Sequence, residues 1–232
     1  MLKTIRLHAS IGQDTLAFAP MILYSFPSSP FGCKVKAVIL ACEQTKNIIV
    51  EEFHPWQTDT FFRKLNPLGK IPALKISADE TIFDSSVICE FIMDKAGKTT
   101  ALMPDKFKSL KVQALVDGMA DAAVSMRYEH FFRPKHLQCE DWYDRQRLAL
   151  SSGLKYLDES IDTKLNREIL FENLCVATFL SYVDLRFSDE PFRKNYEKLY
   201  RWYDGYMQKH SFLETVKAKD HPIPANITRL QK

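Results

Sequence analysis

The feature that most constrains this 232-residue chain is a change of periodicity near residue 97. Before it, strand-like and helix-like runs alternate. "MILYSF" (21–26) reads as a buried strand, and Val35, Val38, Ile39 and Cys42 then recur at helical spacing. "NIIVEEF" (47–53) is a second strand, rich in β-branched residues, and "TDTFFRKL" (58–65) is a short helix or irregular turn. "IPALKIS" (71–77) and "TIF" (81–83) are two strands joined by the short connection "ADE". Val87, Ile88, Phe91 and Ile92 give another helix, ended near Gly97. The order βαβαββα implies parallel pairing through crossovers, with an antiparallel edge added by the closing hairpin.

After residue 98 only helical patterns recur. Leu115, Met119, Ala122, Ala123 and Met126 share one face, as do Leu199, Trp202, Tyr203, Tyr206 and Met207. Two further helices lie between them, in "DWYDRQRLALSSGLKYLDESI" and "LFENLCVATFLSYVDLRF". The expected organisation is therefore α/β plus all-α. Residues 1–20 form an N-terminal extension ahead of Met21, 21–97 the α/β domain, 98–108 a linker and 109–232 the all-helical domain. The first twenty residues lack a continuous apolar core and do not read as a secretory signal.

Composition narrows the functional classes. A net charge of +3, from 32 basic and 29 acidic residues, argues for neither a nucleic-acid nor a membrane partner. No window approaches the roughly 18 apolar residues of a membrane span. The five cysteines include no CxxC pair, and Cys42, Cys89 and Cys175 sit among apolar residues. This points to a reducing, cytoplasmic setting without a disulfide framework or structural zinc. The histidines at 54, 130, 136, 210 and 221 form no metal-ligand pattern. His54 and Trp56 are expected to rim the first domain, and the other four of these five histidines to lie on the surface.

Three short stretches carry chemistry. In "YSFPSSPFGCK" (24–34) a strand delivers a Pro-bounded turn onto a helix, with Pro30 suited to the first helical turn. Unpaired N–H groups and the helix dipole favour an anion there, such as a thiolate or carboxylate. Ser29 could donate a hydrogen bond to it; alternatively Ser28 and Ser29 simply cap the helix. In "NPLGKIPAL" (66–74), Pro72 suits an edge, a first strand position or a cis bond. A cis bond would leave the main chain of Ile71 open to an extended peptide. In "FDSS" (83–86), Asp84 or Ser85 signals a helix start, and together they suit an ammonium and a carboxylate.

These three motifs, in this order, resemble the N-terminal domain of the glutathione S-transferase family. The strand–"SxPFxxK"–helix turn is similar to a glutaredoxin-type site with serine in place of the first cysteine. The segments "ALVDGMADAAVSMR" and "SYVDLRFSDEPFRKNYEKLYRWYDGYMQKHSFLETV" resemble helices of bacterial members, so the likeness runs from Met21 to about Val216. It implies a thioredoxin-like domain carrying the glutathione site and an all-α domain carrying most of the second-substrate site.

The resemblance also implies roles. Ser29 would hydrogen-bond the glutathione sulfur. The backbone of Ile71, before Pro72, would pair with the cysteinyl part, Asp84 and Ser85 would hold the γ-glutamyl group, and Lys70 lies within reach of a glutathione carboxylate. Phe31, Met119 and Arg127 are expected in the substrate pocket; for Arg127 a structural pairing with Asp117 or Asp121 is the alternative. Some relatives carry a lysine or histidine for the glycine carboxylate where this chain has Trp56, Gln57 and Thr58, so that end has no assigned ligand. The family's Ser/Thr-x-x-Asp helix-start box is missing from "NREILFENLCVAT", where Asn166 is the expected substitute cap. Glutathione as co-substrate, a small electrophile, no metal and a homodimer complete the expectation. Two alternatives remain: a thiol reductase or peroxidase acting through Cys33, and a non-catalytic interaction module.

Overall fold

The computed structural model describes residues 4–5, 20–56, 60–161 and 165–221. The elements, in chain order, are β1 (Thr4–Ile5), β2 (Met21–Ser25), α1 (Pro30–Ala41), β3 (Ile48–Glu52), α2 (Thr60–Leu65), β4 (Ala73–Lys75), β5 (Thr81–Ile82) and α3 (Ser85–Lys95). Helices α4 (Thr99–Leu102), α5 (Lys106–Phe132), α6 (Glu140–Glu159), α7 (Phe171–Arg186), α8 (Phe192–Asn195) and α9 (Glu197–Lys209) follow, with 3-10 turns at Lys135–Leu137 and Ser211–Val216.

The sheet order is β1-β3-β2-β4-β5. β2 and β3 run parallel, as a crossover through α1 requires, and the other three pairs are antiparallel. Alternation along β2 and β4 separates two apolar layers. Leu23 and Leu74 face the main core under α1 and α3, whereas Tyr24 and Ala73 face a smaller cluster with Phe53 and Phe62 of α2. The main core continues without a break into the helical half, where α1 packs on α7 and α5 packs on α6 and α7.

Five local expectations need correction. The sheet has a fifth strand, β1, from within the expected extension; it covers the edge that β3 would otherwise leave unpaired. The stretch expected as a linker contains α4, with Leu102 and Met103 buried in the core. Helix α5 starts at Lys106, three residues before the expected boundary, because Asp105 caps it by accepting from the Lys108 N–H at 3.0 Å.

Asn166 does not cap α7. That helix begins after Leu170 without a side-chain cap. Asn166 is instead tied by the Asn173 amide at 2.8 Å and by the Trp202 indole N–H, which donates to its carbonyl at 2.7 Å. His210, expected on the surface, is buried, and its Nε2 lies 2.9 Å from the Arg167 carbonyl. No helix among the described residues is long and apolar enough to cross a membrane.

Candidate active site

A cleft of about 660 Å³ opens where β2–α1, the β4 approach and the α3 start face α5 and α7. At its first corner, Ser29 has extended backbone geometry and caps α1, and Pro30 occupies the first helical position. Ser29 Oγ accepts the Gly32 N–H at 3.1 Å. That bond uses an acceptor site and leaves the hydroxyl proton free to be donated. Glycine is required at 32: a Cβ there would stand 2.1 Å from Ser25 Oγ and 3.3 Å from Ser29 Cβ. Phe31 lines the cleft beside them.

Cys33 does not face this corner. It is fully buried, its sulfur 3.6 Å from the Pro27 carbonyl. Burial pushes the thiol up, against weaker pulls from Lys36 and Lys219. A thiol in that state is a poor nucleophile. Mild oxidation with glutathione disulfide should leave Cys33 unmodified by intact-mass and peptide mass spectrometry; a glutathione adduct at Cys33 would revive the reductase reading.

The second corner is the approach to β4. The Ile71–Pro72 peptide is cis. The β2–β4 ladder ends at Tyr24↔Ala73, so the main chain of Ile71 lies just beyond the last pair. Asn66 fixes this segment through Nδ2, which donates to the Lys70 carbonyl at 2.7 Å. Lys70, Ile71 and Pro72 all line the cleft, with the Lys70 side chain exposed.

The third corner is the start of α3. Asp84 caps it, accepting from the Ser86 N–H at 3.0 Å, while Ser85 is buried in the first turn. Ser86 Oγ donates to Asp117 Oδ2 of α5 at 3.2 Å, and Lys34 Nζ reaches the same carboxylate at 2.6 and 2.8 Å. Asp121 lies one turn further on. Burial pushes its carboxyl up; Lys70 and Lys34 oppose this, Asp117 and Asp84 reinforce it.

The far part of the cleft has an aromatic wall. Trp56 stacks on Phe132 at 4.2 Å and meets Tyr128 edge-on at 5.0 Å. Arg127 lies over the Phe131 ring at 4.0 Å. Its expected structural pairing fails on geometry: at 3.6 residues per turn, positions six and ten residues back are not neighbours on α5. Met119 is a second correction. Only 2% exposed, it turns away from the cleft and packs on α6 at Gly153, where a Cβ would stand 2.3 Å from its sulfur.

The structure thus brings Ser29, Phe31, Lys70, Ile71, Pro72, Asp84, Ser85 and Arg127 to one cleft and leaves Met119 and Cys33 outside its lining. Gln57 and Thr58 lie outside the described residues. His54 is nearly buried, edge-on to Phe26, and burial, helped by His221, lowers its pKa to about 4. The sequence reading placed Tyr128 on a helix bordering the cleft and Asp121 only as a partner for Arg127; it missed Tyr182 and the wall that Phe132 forms with Tyr128 and Trp56. The i, i+4 spacing of Tyr128 and Phe132 was a usable signal. Among the described residues no group of three or more His, Cys, Asp or Glu side chains is placed to hold a metal.

Residues 28–95 match the family model for the glutathione S-transferase N-terminal domain. The chain is 32% identical over 166 residues to YibF, an uncharacterised GST-like protein of Escherichia coli (strain K12), covering 68% of this chain and 80% of that protein. Among solved structures it is similar to a glutathione transferase family member from Pseudomonas fluorescens Pf-5 with bound glutathione. That likeness has 26% identity and a TM-score of 0.77, over 86% of this chain and all of that one. A glutathione S-transferase from Methylobacterium radiotolerans JCM 2831, in complex with glutathione sulfonate, shares the fold at 23% identity and a TM-score of 0.78, over 89% of this chain and 99% of that one. With its thioredoxin-like sheet, its helical second half and a relative of this identity, the chain belongs to the glutathione S-transferase family.

Proposed function

We propose that the chain is a glutathione transferase that binds glutathione in the cleft, holds its sulfur as a thiolate and presents it to a small electrophile. The observation that carries this reading is the Gly32 N–H bond to Ser29 Oγ, at the positive end of α1. It turns the serine into an oriented donor at the place where negative charge is most welcome. The open main chain at Ile71 suits the cysteinyl segment, as an added strand would. Asp84 and Ser85, with Lys70 alongside, suit the ammonium and carboxylate of the γ-glutamyl group. The glutathione bound by the Pseudomonas fluorescens relative supports the same ligand here. On this reading glutathione is the co-substrate, no metal takes part and the working form is a cytoplasmic homodimer.

A thiol needs about 2.7 kcal/mol of preferential stabilisation to lose two pKa units from its usual 8.5. One charge-assisted hydrogen bond supplies about 1.5–3 kcal/mol, and a helix end roughly 0.3–1. Ser29 therefore has no need to ionise or to form a covalent bond itself. The test is calorimetric titration with glutathione combined with conjugation of 1-chloro-2,4-dinitrobenzene. Saturable binding with turnover above the buffer rate is expected. Binding without conjugation or disulfide reduction would leave an interaction module, and no binding would remove the reading altogether.

A further inference from the structure

The two ends of the cleft differ in charge. Asp117 and Asp121 lie toward the start of α5, beside Asp84 and Lys70. Arg127 follows six residues after Asp121, about 9 Å along the helix axis at 1.5 Å per residue. There it faces Arg186 and Tyr182 of α7, all three lining the same cleft. Arg186 already has a partner, Asp220, at 2.8 Å. Arg127 forms no ion pair among the described residues; it lies over the face of Phe131. Tyr182 is 3% exposed, and its hydroxyl makes no hydrogen bond among the described residues. His54 is no added cation at neutral pH, and His221 lies 3.3 Å from Glu52. Two guanidiniums thus share one carboxylate, next to the wall of Trp56, Tyr128 and Phe132.

We infer that this end is an oxyanion subsite: Arg127 and the Tyr182 hydroxyl hold a carboxylate on the second substrate, whose aromatic body lies against Trp56, Tyr128 and Phe132. The inference rests on the glutathione reading and narrows it to aryl electrophiles bearing a negative group. The half-buried guanidinium supports this. Burial lowers the Arg127 pKa, and the neighbouring Arg186 adds to the effect, so a carboxylate arriving there meets an undercompensated cation. The planar fork of arginine and a tyrosine O–H are donors suited to a carboxylate, and such a bond in a partly dry site discriminates well against a neutral analogue.

The experiment compares calorimetric affinities of S-benzylglutathione with its 3- and 4-carboxybenzyl counterparts. At least one carboxylate is expected to bind about tenfold or more tightly than the benzyl compound, the equivalent of one charge-assisted bond. In Arg127→Gln that ratio should fall to within about threefold, and Tyr182→Phe should reduce it by a smaller factor. The ratio in the unsubstituted protein tests the idea even if a variant fails to fold. Equal affinity for all three conjugates would overturn the oxyanion subsite and leave the glutathione reading intact, as would a ratio that survives Arg127→Gln. If no conjugate binds, the glutathione reading fails first and takes this inference with it.

Discussion

Replacing Ser29 with alanine is expected to raise the pKa of the bound glutathione thiol by about one to two units, the worth of one hydrogen bond to a charged acceptor. Conjugation at pH 6.5 should fall by roughly five- to fiftyfold. The sign follows from the ionisation. A thiolate stabilised by the Ser29 proton is present above a lowered pKa, so turnover rises with pH through that value. Without the donor the same rise occurs at higher pH, and the deficit shrinks as the solution becomes alkaline. Thiolate absorbance of bound glutathione, titrated against pH, reads this directly.

The substitution also removes the α1 cap, because Ser29 Oγ holds the Gly32 N–H, at a cost of about 1 kcal/mol of stability. Ser29→Gly separates the two effects. Glycine at this cap position costs only a few tenths of a kcal/mol, and it has no side-chain donor. It should keep most of the thermal stability without restoring the pH profile. A Ser29→Ala protein with unchanged pH dependence would remove Ser29 from the chemistry.

The local grammar of the first half was legible because each signal acts within a few residues. A short apolar run marked β2, helical spacing marked α1, and Ser29 and Asp84 stand at helix starts where short polar side chains satisfy unpaired N–H groups. What could not be read depends on distant partners. Leu115 and Met119 fall on the apolar face of α5, but periodicity does not say which neighbour that face meets; Gly153, 34 positions beyond Met119, leaves the space its side chain fills. Arg186 and Asp220 pair across a similar gap in sequence. The wall formed by Trp56 with Tyr128 and Phe132 joins a loop of the first half to the end of α5. Asn166 is no cap because the helix starts only at Phe171, five residues on, and the Asn166 side chain instead accepts from the Asn173 amide.

The largest stability effect is expected at Asp117, and the two members of its ion pair should not behave alike. The Lys34 side chain is 3% exposed, whereas that of Asp117 is 24% exposed. Removing the carboxylate with Asp117→Ala strands an ammonium in the core, between Cys175 of α7 and Cys89 of α3, and should cost about 3–5 kcal/mol. Removing the ammonium with Lys34→Met leaves a carboxylate that water can reach and that still accepts from Ser86 and Gln113. That substitution should cost far less, since an apolar side chain of similar volume fills a buried site well. The double variant should accordingly be more stable than Asp117→Ala alone. pH supplies an independent check. In the native protein burial pushes the Lys34 pKa down, but its surroundings, Asp117 among them, outweigh this and the net direction is up. With Asp117 gone, the downward push of burial is opposed only by Cys175 and Cys89, whose own burial raises their pKa values and keeps them as neutral thiols between pH 7 and 10, so the folded state binds fewer protons than the unfolded one over that range. Stability then rises with pH, so the penalty of Asp117→Ala should shrink between pH 7 and 10, whereas that of Lys34→Met should not. Urea unfolding across this range measures both. Equal penalties for the two single variants, independent of pH, would mean that the pair contributes packing alone and does not fix α1 and α3 against α5 through charge.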